Sequence, residues 1–211
     1  MRSINWIIVV CILSSIIAWL LSPIKYEFLF NNLVFSTDNI LQGKIWTPIT
    51  ALFIHYDGLH LVSNMFFLFI FGNTLEEELG KNKILLAFFI GGIMAFLLSS
   101  FFYDSRTAML GASGAIFTLT SIVMLVKPLK FSFSLFMPLG LVAIIYFLYN
   151  VAAIYFELQS NVSFISHVIG FIIGIPFGIS WSKDWIKHLL ITIGLLILYY
   201  SLQVLLLHVF S

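Results

Sequence analysis

Apolar residues run along this chain in seven long stretches set apart by charged residues, at about 3–24, 58–75, 84–103, 107–126, 131–156, 158–182 and 188–211. Each is close to the ~20 residues an α-helix needs to cross a hydrocarbon layer of ~30 Å. The stretches are continuous, whereas barrel strands would alternate over short segments. In lipid every backbone amide must be paired, and a helix does this within its own segment. The pattern predicts an all-α polytopic membrane protein, with residues 1–211 forming a single membrane domain of seven spans.

Composition agrees with this reading. Of the 211 residues, 61% are hydrophobic and 9% charged, against about 25% charged in a soluble domain. Such a chain is not intrinsically disordered. Its net charge of +1 points to no nucleic acid. Cys11 has no second cysteine to pair with, so no intrachain disulfide forms. "INWIIVVCILSSIIAWLL" after Arg2 is longer than a signal core and lacks a clear small-residue cleavage site; it reads as a retained first span.

Charge sets the expected orientation. With the N-terminus inside, the inner segments hold Arg2, Lys81, Lys83, Lys127, Lys130, Lys183 and Lys187, and the outer ones only Lys25, Lys44 and Arg106. That asymmetry predicts a cytoplasmic N-terminus. The outer connection 23–58 carries "YEFLF" and "KIWTPITALFIHY", aromatic enough to lie in the interface.

The fourth stretch contains "LGASGAIF", residues 110–117, and ends at Lys127-Pro128. A helix from Ser113 to that point has about 14 residues, or ~21 Å. With its inner end held at the surface by Lys127 and Lys130, its outer end stops roughly 10 Å below the outer face. Non-helical backbone at that depth must be buried in protein or line a water-filled cavity. Ser113 would then stand at a helix N-terminus on the floor of an outward-facing cavity, beside unpaired N–H groups. Gly111 permits unusual backbone angles at the turn, and Gly114 permits close helix approach.

Other polar groups share the apolar stretches. "HYDGLHLVSNMFF" supplies His55, His60 and Asn64, the last two on one helix face. "SHVIGFIIGIPFG" supplies His167, followed on the same face by Gly170, Gly174 and Gly178. Gly114, Thr118 and Ser121 form a matching small stripe. If the two stripes meet, His167 is drawn toward Ser113. A serine needs a base to become nucleophilic, and imidazole is the usual one. Asn64, His60 and the Ser113 backbone N–H offer donors for an oxyanion. The nearest carboxylates, Asp57, Asp104 and Glu157, fall in loops. A third triad member is therefore not expected, and the reading is a Ser–His dyad with the imidazole oriented by packing against Phe117.

"HYDGLHLVSN", "GASG" and "SHVIGFIIG", in that order and in those spans, resemble the rhomboid intramembrane serine proteases over residues 40–181. The resemblance implies a rhomboid-like six-helix core (about 1–182) plus a seventh C-terminal helix (about 187–210). It implies Ser113 as nucleophile, His167 as base and then acid, and His60 with Asn64 as the oxyanion-stabilising pair. His55 matches an outer-loop histidine more structural than chemical, and "EEELG" at 76–80 matches the inner end of span two. Loop 23–58 would lie sideways in the outer leaflet, with span five and the loop before span six as gate and cap. Two departures stand out: Trp46 is followed by Thr47 where the family often has arginine, and Phe117 replaces a frequent tyrosine.

The implied activity is an intramembrane serine endopeptidase that cuts transmembrane segments near the outer face through an acyl-enzyme. Its partners are substrate helices and the lipid bilayer, with no nucleic acid, metal or cofactor. "HExxH" and paired intramembrane aspartates, which metal or aspartyl proteolysis would need, are missing from the sequence. The location expected is a multi-pass position, in the plasma membrane if prokaryotic, with the active site opening outward. The alternative is a non-proteolytic rhomboid-like protein, a chaperone or transporter; a transporter would commonly show inverted repeats.

Overall fold

The computed structural model describes residues 2–158 and 163–210. The first helix, α1, spans Ser3–Leu33 and is followed by two short helices, α2 (Thr37–Leu41) and α3 (Thr47–Thr50). Next come α4 (Gly58–Phe67) and α5 (Asn73–Leu79), made continuous by a π-helical turn at Leu68–Gly72. The remaining helices are α6 (Lys81–Ser99), α7 (Ser113–Val126), α8 (Leu139–Tyr155), α9 (Phe164–Trp181) and α10 (Trp185–Phe210). Five helical segments are long and apolar enough to cross a membrane, and α7 and α8 are shorter apolar helices. The chain is an all-α, multi-pass membrane protein.

The starts of the fifth and sixth spans change, and the first connection gains helix. The first span ends as expected, its crossing segment being Ser3–Ser22, but after non-helical Lys25 (φ −131°, ψ 32°) a second helical piece runs on to Leu33 where a loop was expected. The fifth span does not begin at 131. Phe131–Ser132 and Met137–Pro138 pair as a two-residue antiparallel hairpin, turned by Phe136 in the left-handed region (φ 54°), and helix starts only at Leu139. The sixth starts at Phe164, not near 158. Part of the loop named as cap, 159–162, lies outside the described residues.

Helix α7 occupies the centre. All its residues from Gly114 to Val126 are buried, as expected of a helix apolar on every side. Lipid tails give helices no hydrophobic reason to associate, so packing and hydrogen bonds must do it. Small residues on two neighbours supply the packing. A Cβ on Gly91 of α6 would strike the Thr118 side chain, and one on Gly170 of α9 would strike the Gly114 carbonyl. Gly174 faces Ser121 and the Thr118 carbonyl, and Gly178 faces Leu125. The two small stripes therefore meet along their length. The Thr118 hydroxyl donates to the Gly170 carbonyl at 2.9 Å, tying the backbones together where they approach.

Helix α10 is peripheral: only 6% of its apolar window is buried, against 44% for α6. It docks through His188 Nδ1, 2.8 Å from the Leu125 carbonyl, and through Thr192 against Gly140.

The opposite ends of the bundle are pinned differently. At one end Glu76 accepts from the backbone N–H groups of Ser3 (2.7 Å) and Ile4 (3.0 Å), capping α1. Glu78 pairs with Lys127 at 2.8 Å just beyond α7. At the other end the loops hold one another. Phe35 and Met109 exchange two backbone bonds, and Gly111 N–H donates to the Ala51 carbonyl at 2.8 Å. Trp46 Nε1 donates to the Asn32 carbonyl at 2.8 Å and Thr47 Oγ1 to the Lys44 carbonyl at 2.9 Å. The loop with Thr47 in place of arginine is thus anchored by its own hydrogen bonds.

Candidate active site

Ser113 is the first residue of α7 and partly exposed, while the rest of the helix is buried. Gly111 makes the turn into the helix at φ 105°, where a side chain would be strained. The turn is closed on its far side by the His60 ring, 2.7 Å from where a Gly111 Cβ would be. Any larger residue at 111 would push the imidazole away.

The amides around Ser113 divide into engaged and open. Gly111 N–H goes to Ala51, and Ala112 N–H goes to His55 Nε2 at 3.4 Å. Ile116 N–H makes the first intrahelical bond, to the Ala112 carbonyl at 2.9 Å. Among the described residues, no acceptor meets the N–H groups of Ser113, Gly114 and Ala115. These are the orphan donors of a helix N-terminus, and they favour negative charge.

His55 is fully specified by its neighbours. Its Nε2 accepts from Ala112, so the ring proton sits on Nδ1, which donates to Ser15 Oγ at 3.1 Å. Ser15 Oγ also accepts from His55 N–H at 3.1 Å and donates to the Phe53 carbonyl at 3.3 Å. Burial, with the neighbouring His60 adding to it, pushes the His55 pKa down to about 3. It is a neutral strut from α1 to the turn before Ser113.

His60 and Asn64 lie one turn apart on α4. His60 Nδ1 accepts from Tyr56 N–H at 3.4 Å, which leaves its proton on Nε2, the atom beside Gly111. Asn64 is buried and spends one amide hydrogen on the His60 carbonyl at 2.8 Å, and the other meets no acceptor among the described residues. Both residues therefore keep a donor.

His167 stands in the first turn of α9, one turn before Gly170. Because Gly170 sits on the Gly114 carbonyl and Ser166 approaches Gly114 (Oγ 3.3 Å from a Cβ there), His167 is held alongside the first turns of α7. Its ring stacks on Phe117, centroids 4.4 Å apart and planes 11° off parallel. Among the described residues no hydrogen bond joins His167 to Ser113; such contacts are often loose before substrate binds. Packing is not the ring's only restraint. His167 Nδ1 lies 2.8 Å from Asn150 Oδ1 of α8, a partner that no spacing in the sequence indicates.

A multi-pass helical protein with a partly exposed serine at the N-terminus of a buried helix, a histidine on the adjoining helix and nearby donors that meet no acceptor among the described residues has the parts for acyl transfer. The rhomboid domain family model matches residues 42–184, stopping just short of α10. The chain belongs to the rhomboid family. It is 28% identical over 195 residues to rhomboid-like protease 3 of Toxoplasma gondii, covering 87% of this chain and 70% of that protein. Over 132 residues it is 26% identical to rhomboid protease GlpG of Yersinia pseudotuberculosis, covering 63% of this chain and 46% of that one. Rhomboid-like protein 11, chloroplastic, of Arabidopsis thaliana is 43% identical over 79 residues, 37% of this chain and 28% of that one. The chain spans only about a quarter to a third of the length of the plant organellar relatives it matches.

Proposed function

We propose that this protein is an intramembrane serine endopeptidase that cuts transmembrane segments of other membrane proteins by a Ser113–His167 dyad. The observation that carries the reading is the backbone contact of Gly114 with Gly170, which sets the base-bearing turn of α9 beside the serine-bearing turn of α7. Ser113 Oγ attacks the scissile carbonyl carbon and gives its proton to His167 Nε2. The tetrahedral oxyanion is held by Ser113 N–H, the free amide hydrogen of Asn64 and His60 Nε2–H. The C–N bond breaks as His167 returns the proton to the leaving amine. Water then attacks the acyl-enzyme, again through His167, and releases the new carboxylate.

A substrate helix hides its carbonyls in hydrogen bonds, so segments with Gly, Pro or polar residues near the cut are preferred because they unwind more readily. The short α7 sets the serine beneath the surface on the side of the loops around Met109. The Lys and Arg asymmetry makes that side the outer one, with the N-terminus inside. Helix α10, beyond the family-matched residues, is an addition to a six-helix core.

The test is labelling by a serine-reactive fluorophosphonate in detergent, together with cleavage of a single-span substrate. Wild type is expected to label and cleave, and Ser113→Ala and His167→Ala to do neither. Equal label on all three overturns the reading and leaves a non-proteolytic member of the family.

A further inference from the structure

Asn150 lies in the apolar run of α8, is 2% exposed, and touches the imidazole of His167 across a helix boundary. A buried amide in such a run is costly unless both its ends are paired. Asn150 Nδ2 donates to the Tyr146 carbonyl one turn back at 2.8 Å. That bond fixes the sense of the amide, so the end facing His167 is Oδ1, an acceptor. Only a protonated Nδ1 can meet it at 2.8 Å. The neutral ring must then carry its proton on Nδ1 and keep its lone pair on Nε2.

From this geometry we infer that Asn150 is a positioning residue for the general base. It selects the His167 tautomer whose Nε2 can take the Ser113 proton, and it holds the Nδ1–H side when the ring becomes imidazolium. The inference rests on the serine-protease reading for its consequence, although the tautomer it predicts is independent of activity. Phe117 covers the face of the ring and Asn150 its edge, so the two restraints differ in kind: stacking fixes the plane, and the hydrogen bond fixes rotation within the plane and the site of the proton. Because the acceptor is carried by α8 and the base by α9, the lock holds only while these helices stay docked.

Three variants separate this role from simple packing: Asn150→Leu keeps the volume without an acceptor, Asn150→Ala removes both, and Asn150→Asp keeps an acceptor. With KM little changed, Leu and Ala are expected to lower kcat about 10- to 100-fold, the range for losing a buried hydrogen bond. Asp is expected to restore most of the rate and to move the acidic limb of the pH–rate profile upward, because a carboxylate favours the imidazolium while the base must be neutral. In parallel, 15N NMR of histidine-labelled protein in the Ser113→Ala background reads the tautomer without any proteolysis. His167 is expected as the Nδ1–H form, and as a mixture after Asn150→Leu. Wild-type kcat in Asn150→Leu, no rescue by Asp, or an Nε2–H tautomer in the parent overturns the inference. If wild type fails to label at Ser113 while the NMR shows the Nδ1–H form, it is the protease reading that fails.

Discussion

Phe117 and His167 lie ring on ring, 4.4 Å between centroids and 11° from parallel, although they belong to different helices. The contact follows from Gly170 against Gly114: once the helices touch backbone to backbone, residues a turn away must share one layer. Aromatic pairs of this geometry contribute about 0.5–1.5 kcal/mol beyond their buried area. Phe117→Ala should therefore lower kcat of the folded enzyme by roughly 2- to 10-fold, besides destabilising it by ~3–5 kcal/mol as a cavity opens. Phe117→Tyr keeps the ring and should stay near wild type. Turnover per correctly folded molecule, from active-site titration, checks this; a Tyr variant as poor as Ala would count against stacking.

The donors near Ser113 predict a graded series. Asn64→Ala removes one oxyanion donor and should reduce kcat by about 10²- to 10³-fold with little change in KM. Asn64→Asp places a carboxylate where negative charge develops and should be lower still. Steady-state kinetics on a single-span substrate decides; equal rates for Ala and Asp would remove Asn64 from the oxyanion site.

Glycine contacts make a stability prediction with an internal control. Gly170→Ala or Gly174→Ala drives a methyl into the α7 backbone, and overpacking of this kind costs about 1–3 kcal/mol or more. Gly194 of α10 has open space around it, so Gly194→Ala should be neutral or stabilising by up to ~1 kcal/mol. Thermal unfolding in detergent ranks them, and a harmless Gly170→Ala would refute the close approach.

His55 predicts how stability responds to acid. Its pKa is pushed down to about 3 in the folded protein, from about 6.5 in an unfolded chain. Between those values the unfolded state binds the extra proton, so stability rises with pH and is lost as pH falls from about 6.5 toward 3. His55→Asn removes the titration and should flatten that limb, while lowering stability at pH 7 because the Ser15 and Ala112 bonds weaken. Melting temperatures across pH 4.5–7.5 for both proteins measure the difference in slope.

Much of the fold was legible because membrane spans announce themselves by length. The end of α7 followed from Lys127-Pro128, its start at Ser113 agrees with the short helix supposed there, and the meeting of α7 with α9 followed from two stripes of matching period. Asn150 was not legible. It sits in "YFLYNVAAIY" with no periodic partner, and its meaning comes from a residue 17 positions on in another helix; periodicity describes one helix, not the seam between two. The helical piece after Lys25 and the hairpin at 131–138 were missed for a related reason. Hydropathy tells where chain prefers oil, and an interfacial helix or a phenylalanine-rich turn prefers it as well.

The division of amides before and after Ser113 bears on reagents for this chain. Since Gly111 and Ala112 already spend their N–H groups on Ala51 and His55, an inhibitor's oxygen finds backbone hydrogen over the opening turn of α7 and not in the turn before it. The imidazole of His60 walls off the approach along Gly111. A warhead that is slim on that flank and carries its bulk elsewhere should outcompete a symmetrical one.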